Sequence, residues 1–341
     1  MANNTIDQTF NGEFSVVIKH RTDNGYELFT PIVEDGVTWE TERQGSPGKL
    51  TFKVYAAKND GLQFDEGDSV ALKYRNNGDD WLAIFNGYIF TKKRNKNGWI
   101  DVTAYDLLRY LKNKATYVYK DKTASGVLTM IANDYKLPLN IIESTPYAIG
   151  ERVEDDQSLF DIIQNALDLT LVGSGERYIM FTNSQGICLR NANNMKTNVV
   201  INNVTAEDFD YTSSIDEETY NDIELYYDNS ETNKREYYHA FDEGNIEEWG
   251  RLRLTESIKT PTNAEDRVKK MLELYNRKTR KLEVKNAFGN YLCRAGASVI
   301  VQLDLGDITV DNYMLIEKAT HTFKNGEYRM DLTLGGTTEF A

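Results

Sequence analysis

One stretch of this chain occurs twice, so the fold must accommodate two equivalent units. The first copy runs from Leu50 to Ala104 and the second from Leu282 to Leu334. Each opens on a short alternating strand, Lys49-Leu-Thr-Phe-Lys-Val54 and Lys281-Leu-Glu-Val-Lys285. A glycine-led strand follows, Gly67-Asp-Ser-Val-Ala-Leu-Lys-Tyr74 in one copy and Gly296-Ala-Ser-Val-Ile-Val-Gln-Leu303 in the other. Farther on, Asn86-Gly-Tyr-Ile-Phe-Thr-Lys-Lys93 and Lys96-Asn-Gly98 are matched by Asn312-Tyr-Met-Leu-Ile-Glu-Lys318 and Lys324-Asn-Gly326. Gly67 to Gly98 is 31 positions and Gly296 to Gly326 is 30, so spacing agrees as well as residue type. Two copies at one long period imply a duplicated domain, because a solenoid needs several short repeats. The competing reading is coincidence between two hairpins, since Asn-Gly closes so many of them.

Around the copies, the periodicity changes along the chain. Residues 12–55 alternate, with Phe14, Val16 and Ile18 on one face and turns at Asp23-Asn-Gly25, Asp35-Gly36 and Ser46-Pro-Gly48. That pattern predicts antiparallel sheet or barrel. A period of 3.6 then predicts two helices, one through Leu107, Leu108 and Leu111 and one through Val127, Leu128, Ile131, Ala132 and Tyr135, the second closed by Pro138. Ser158-Leu-Phe-Asp161 has the form of a capping box with Asp in place of Glu or Gln, and a hairpin follows through Tyr178–Arg190. Alternation resumes at Ile223, Leu225 and Tyr227, and Thr262-Asn-Ala-Glu265 predicts a further capped helix carrying Val268, Met271, Leu272 and Tyr275. The expected fold is α+β and mostly β: an antiparallel barrel over residues 1–113, an inserted α+β domain over 114–203, and a second barrel over 204–341 with a helix at 263–279.

The formal charge of −14 opposes binding to nucleic acid through its phosphates, which needs clustered Lys and Arg. Between Glu207 and Glu248 carboxylates recur, and the only basic residues are Lys234 and Arg235. This is either a well-solvated surface or a face that repels anions or attracts bases. No apolar run approaches the roughly 18 residues of a membrane span. The N-terminus has neither the basic start nor the apolar core of a secretory signal, so the chain is expected to be made and kept in a cytoplasm. Cys188 and Cys293 are too few and too far apart for a zinc site or redox pair, and read as buried hydrophobes.

Residues that could carry chemistry are sparse. His20, His239 and His321 have no second His or Cys at ligand spacing. Gly173-Ser-Gly175 lacks the Lys-Ser/Thr of a phosphate loop. Asp155-Asp156 and Glu217-Glu218 are sequence neighbours, whereas glycoside hydrolysis needs carboxyl groups about 5–10 Å apart across a cleft. No Gly-x-Ser-x-Gly occurs. The expectation is a protein with no catalytic residues, cofactor or metal, and not an enzyme. The alternative is a glycan-binding or glycan-hydrolysing protein that uses its Tyr- and Trp-rich strands as a sugar platform.

Three motifs, in order and spacing, carry a resemblance. They are Trp99-Ile-Asp-Val-Thr-Ala-Tyr-Asp-Leu-Leu108, Asp156-Gln-Ser-Leu-Phe-Asp-Ile-Ile163 and Leu292-Cys-Arg-Ala-Gly-Ala-Ser-Val-Ile-Val301. Together they make the chain resemble the baseplate hub proteins of contractile phage tails, of the XkdQ-like type found in PBSX-type prophages and phage-tail-like bacteriocins. The resemblance implies a homotrimer whose subunits each supply two tube-protein-like barrels, a six-barrel ring between a six-fold tail tube and a three-fold spike. It implies as partners the tail tube protein, the spike protein, other baseplate proteins of LysM type and wedge type, and a tape-measure protein in the lumen, with no specific nucleic-acid binding. The particle would be a phage tail or tail-like virion baseplate. Because the chain stops at Ala341, soon after the second copy, the spike is expected to be a separate polypeptide and no peptidoglycan-hydrolase domain is expected.

Two site expectations follow. In such a ring every barrel has unlike neighbours, so Lys92, Lys93, Arg94 and Lys96 are candidate subunit-interface residues against the acidic second half. The plainer reading is that they solubilise a hairpin tip and blunt its edge. Glu207, Asp208, Asp210, Glu217 and Glu218 are candidate lumen-facing carboxylates that keep phosphate from adhering.

Overall fold

Alternating apolar residues put the N-terminal region into seven strands: β1 (Glu13–Thr22), β2 (Gly25–Phe29), β3 (Val33–Glu42), β4 (Lys49–Tyr55), β5 (Ser69–Arg75), β6 (Leu82–Arg94) and β7 (Trp99–Tyr105). The structure, a computed structural model, describes residues 12–56, 61–76, 79–216, 218–306 and 308–335. Val16, Ile18, Trp39, Leu50, Phe52, Leu72, Ile89 and Val102 share one buried cluster on one face of these strands. Each such side chain contributes about 1.5–3 kcal/mol when buried, and a one-residue slip would turn the whole set outward, so the register is fixed.

After β7 the period of 3.6 takes over, with two departures from expectation. Leu107, Leu108 and Leu111 form only a 3₁₀ turn over Leu107–Lys112. The second predicted helix, α1 (Ala124–Asp134), stops before Pro138 because Lys136 turns left-handed at φ 54°. α2 (Leu159–Ser174) starts as its motif predicts: Ser158 Oγ accepts from Asp161 N at 3.1 Å and donates to the Asp161 carboxylate at 2.6 Å. Both helices pack with β8 (Lys114–Tyr119), β9 (Leu139–Ile142), β10 (Arg152–Ser158), β11 (Tyr178–Thr182) and β12 (Ile187–Asn191), and a separate core runs through this unit.

The chain then returns to the main sheet in β13 (Lys196–Ile201) and β14 (Asp208–Ser214) and leaves it a second time. Residues read from sequence as part of the second barrel form their own three-stranded sheet from β15 (Asp222–Asn229), β16 (Lys234–Phe241) and β17 (Arg253–Ser257). The short α3 (Glu243–Trp249) and α4 (Ala264–Tyr275) accompany it, and Ile223, Leu225, Ile258, Val268 and Met271 fill its core. The helix expected at 263–279 is therefore shorter at both ends. Its predicted capping box does not form: Asn263 is the cap, left-handed at φ 58° and without a side-chain bond, while Thr262 Oγ1 lies 3.0 Å from Thr260 Oγ1.

β18 (Thr279–Phe288), β19 (Ser298–Asp304), β20 (Thr309–Lys324) and β21 (Glu327–Gly335) are the second copy of the repeat, and they pair as the first copy does. β4 pairs β7 with Leu50 opposite Ala104, and β18 pairs β21 with Leu282 opposite Leu334. The long third strand of each copy takes the glycine-led strand as partner along its first half and the last strand along its second. Gly67 N donates to Ile89 O at 2.8 Å, and Gly296 N donates to Ile316 O at 2.8 Å. Both glycines have positive φ, 96° and 87°. Each long strand has one extra residue just beyond that point, Phe90 in β6 and Glu317 in β20. The closing turns differ: Asn95 N bonds Trp99 O across Lys96-Asn97-Gly98, whereas Lys324 faces Glu327 across Asn325-Gly326 alone.

Neither copy closes into the barrel that the alternating pattern led us to expect. The two copies instead join into one open sheet, ordered β14-β18-β21-β20-β3-β4-β7-β6-β5-β1-β2, with β19 and β13 branching from β20. The reason lies in β3, whose two edges go to β4 and to β20 of the other copy.

Two of the motifs meet where the inserted unit is held. Asp106 accepts from Leu108 N at 3.0 Å and from Thr182 Oγ1 at 2.8 Å, and Arg294 donates to Thr182 O at 2.7 Å. Burial pushes the Asp106 carboxyl up to about 6, against the opposing pull of Thr182 and Arg294. Burial also lowers Arg294 to about 10. A side chain at Gly48 would meet Asp106 at 2.6 Å, and one at Gly296 would meet Ile179 at 2.2 Å, so both approaches need glycine.

Candidate assembly edges

The join between the copies is an antiparallel pair six residues long, from Lys318 opposite Glu42 to Phe323 opposite Val37. Arg43 N donates to Glu317 O at 2.9 Å, and its Nε meets the Glu317 carboxylate at 2.6 Å. The extra residue of β20 thus supplies the ion pair that clamps one end of the join. At the other end β3 bulges at Asp35-Gly36. Gly36 has φ 88°, and a Cβ there would lie 2.4 Å from Phe323 O. Between the ends Trp39 stacks on His321, ring centroids 4.7 Å apart. His321 Nε2 donates to Cys293 O at 3.0 Å, and Nδ1 lies 2.9 Å from the Tyr328 hydroxyl, from which it accepts when the ring is neutral. Burial pushes its pKa down to about 4.

The basic candidates lie on the corresponding strand of the first copy. Lys92 is engaged within the chain: its Nζ donates to Phe64 O at 2.6 Å and lies 2.8 Å from the Asp65 carboxylate and 3.5 Å from that of Glu66. Burial acts to lower its pKa, but Asp65 and Glu66 hold it above the ordinary value. Lys93 and Arg94 are exposed on β6, and Lys96 is exposed at the hairpin tip. Beyond Tyr88, where β5 ends its pairing, residues Thr91–Arg94 have only β7 beside them among the described strands.

Three acidic candidates gather on the opposite end of the sheet. Asp208 and Asp210 are exposed on β14, with Phe209 and Tyr211 turned toward the second core. Asp210 bonds Lys285, whose pKa is thereby raised, and Glu207 accepts from Asn286 Nδ2. β14 pairs with β18 and ends the sheet.

A family profile described as YqbQ-like matches residues 37–335. The chain belongs to the YqbQ-like family. It is 25% identical over 307 residues to the uncharacterized protein YqbQ of Bacillus subtilis strain 168, covering 88% of this chain and 91% of that one. It is 23% identical, over 88% of its own length and 92% of the relative's, to XkdQ of the phage-like element PBSX from the same organism. Among solved structures, the 43 kDa tail protein of prophage MuSo2 from Shewanella oneidensis has the same fold, with a TM-score of 0.65 and 11% identity over 94% of this chain and 98% of that one.

In this YqbQ-like chain the remaining acidic candidates separate. Glu218, left-handed at φ 53°, follows the end of β14 and lines a cleft with Arg43, Asp168, Arg177, Arg280 and Glu317. Glu217 lies outside the described residues. The acidic stretch is also less uniformly solvated than its sequence implies. Asp222 is fully buried, 2.6 Å from His239 and bonded to Arg251 and Arg253. Burial acts to raise its pKa, but Arg253 and His239 hold it below the ordinary carboxylate value. Sequence reasoning missed the Arg43–Glu317 clamp. Its one signal is a charged residue, Glu317, following the apolar pair Leu315-Ile316 where the first copy has Phe90. No helix of the described chain is long and apolar enough to cross a membrane.

Proposed function

We propose that this chain is a structural baseplate component of a phage-type tail and acts as its hub, a homotrimer joining a six-fold tail tube to a three-fold spike. The observation that carries the reading is the duplication, one four-strand unit built twice into a single sheet, so that three chains present six similar units. Kinship with XkdQ of a phage-like element and the fold shared with a prophage tail protein support it. The work is mechanical, not enzymatic. The tail tube protein sits above, the spike below, and LysM-type and wedge proteins around. The chain is made in the bacterial cytoplasm and built into the particle.

The sheet face opposite the apolar core suits a channel wall. Thr322, Thr38, Thr51, Thr103 and Thr91 pair in one row across five strands of that face. The hydroxyls of this row offer no apolar patch to a passing tape-measure protein, and Lys49 and Lys53 on either side of Thr51 are paired with Glu40, Asp35 and Asp101. Asp208 and Asp210 share this face on β14 and repel phosphate. Cryo-EM of the parent particle tests the reading. Three copies on the tail axis are expected, and one or six copies, an off-axis position or a predominantly basic inner wall would refute it.

A further inference from the structure

The join within the chain has a reciprocal that the chain does not make. β6 is the counterpart of β20, yet no described strand lies along Thr91–Arg94 where β3 lies along Lys318–Phe323. β14 is the counterpart of β3: it pairs β18 as β3 pairs β4, and then the sheet ends. We propose that β14 of one copy pairs antiparallel with β6 of a second copy, in the register that β3 and β20 use. This names the strands of the subunit contact and rests on the hub reading only for the number of copies in the ring.

The register follows from the repeat. With Leu282 set on Leu50 and Ile316 on Ile89, Thr91 falls opposite Ser214, Lys93 opposite Thr212 and Asn95 opposite Asp210. Two independent observations agree with it. Lys93, Arg94 and Lys96 are exposed on one edge while Asp208 and Asp210 are exposed on the other, and opposite charges steer such edges together. The threonine row also ends at Thr91, and the pair Ser214 and Thr279 extends it with two further hydroxyls. The two joins are kept distinct by one position. Where Arg43 meets Glu317 within the chain, the second join brings Ile215 to Phe90, so exchanging partners buries an unpaired charge against an apolar side chain. The contact is head-to-tail, which closes only as a ring.

The test is a disulfide trap in the full chain, Asn95→Cys with Asp210→Cys. Residues paired across strands have Cβ atoms about 4.5–5.5 Å apart, close to disulfide reach. Native Cys188 and Cys293 are buried and do not compete. Oxidation is expected to convert most of the monomer band into covalent species of two and three chains. Each single variant, and Asn95→Cys with Ser257→Cys on β17, stay monomeric on the same gel. Absence of the cross-link both in concentrated protein and in assembled particles, or equal cross-linking of the Ser257 control, overturns the pairing. A three-copy particle without the 95–210 cross-link overturns this pairing and leaves the hub intact. Cross-linked dimers alone, or an open ladder, keep the pairing and overturn the three-fold hub.

Discussion

Along the row where the first copy places Thr38, Thr51, Thr103 and Thr91, the second places Asp210, Glu283, Thr333 and Lys318. On the opposite face the copies stay apolar, with Leu50 and Ile89 matched by Leu282 and Ile316. β1 adds antiparallel to β5, whereas β13 adds parallel to β19. The buried face is what both copies need in order to fold, so packing keeps it alike. The outward row, the extra residue of the long strand and the flanking strand touch what lies beyond each copy, and there they diverge. The fold is thus specified by what is shared, and which copy sits beside which by what is not.

The largest expected effect comes from the bulge that β3 has and β14 lacks. Gly36→Val puts a β-branched residue at φ 88° with its Cβ against Phe323 O, and should cost about 3–5 kcal/mol in urea unfolding. Asp208→Val on β14 should cost the chain much less. Equal losses would show that the join does not depend on the bulge.

Next is the contrast between His321, buried in the join, and Arg94, its exposed counterpart. The folded pKa of His321 is about 4, below the roughly 6.5 of an unfolded imidazole, so its contribution is complete above pH 6.5 and lost as pH falls toward 4. Asp106 acts in the opposite sense, because a carboxyl raised to about 6 favours the folded state as pH falls from about 6 to 4. Only a difference isolates the histidine. The stability gap between wild type and His321→Gln should narrow by about 3 kcal/mol between pH 7 and 4. A gap that is constant with pH would mean that folding leaves the pKa of this imidazole where it stands in the unfolded chain, and a gap that widens as pH falls would mean that the imidazole is charged in the fold.

The copies, their strands and the α2 cap were legible because each rests on local spacing: Leu50 and Leu282, Gly67 and Gly296, Ser158 and Asp161. The join was not. Val37 and Phe323 are far apart in sequence, and an edge strand that will be covered reads like one that will not. The separate unit around β15 was missed because strands at Ile223 and Arg235 fit a barrel as well as a free-standing sheet. The Thr262 capping box failed because Asn263, left-handed, took the cap itself. Lys92 reads like its neighbours in the sequence, and only the fold brings Asp65 and Glu66 beside it.

The Arg43–Glu317 pair sharpens the comparison at smaller energy. Arg43→Ala or Glu317→Ala should cost about 1–2 kcal/mol, since both side chains are largely covered and each change removes the 2.6 Å partner of the other charge. Arg43→Ile with Glu317→Phe installs the residues found at Ile215 and Phe90. That double variant should lose less than the sum of its single changes, and strict additivity in the cycle would show no coupling.

The smallest effect on the chain itself should come from its most charged edge. Lys93→Glu with Arg94→Glu alters exposed groups at the end of β6, so monomer unfolding should shift by no more than about 0.5 kcal/mol. Lys92 is left alone because its ion pairs belong to the fold. If the first copy meets β14 of another chain, the same variant places carboxylates near Asp208 and Asp210. The multimer fraction measured by light scattering should then fall at low salt and recover as added salt shortens the screening length. A small change in the monomer beside a large, salt-dependent change in assembly distinguishes an interface from a hairpin that is merely soluble. Should the multimer fraction be unchanged at every ionic strength, the lysines only solubilise the tip, and the unlike joins would rest on Phe90 and Ile215 against Arg43 and Glu317 alone.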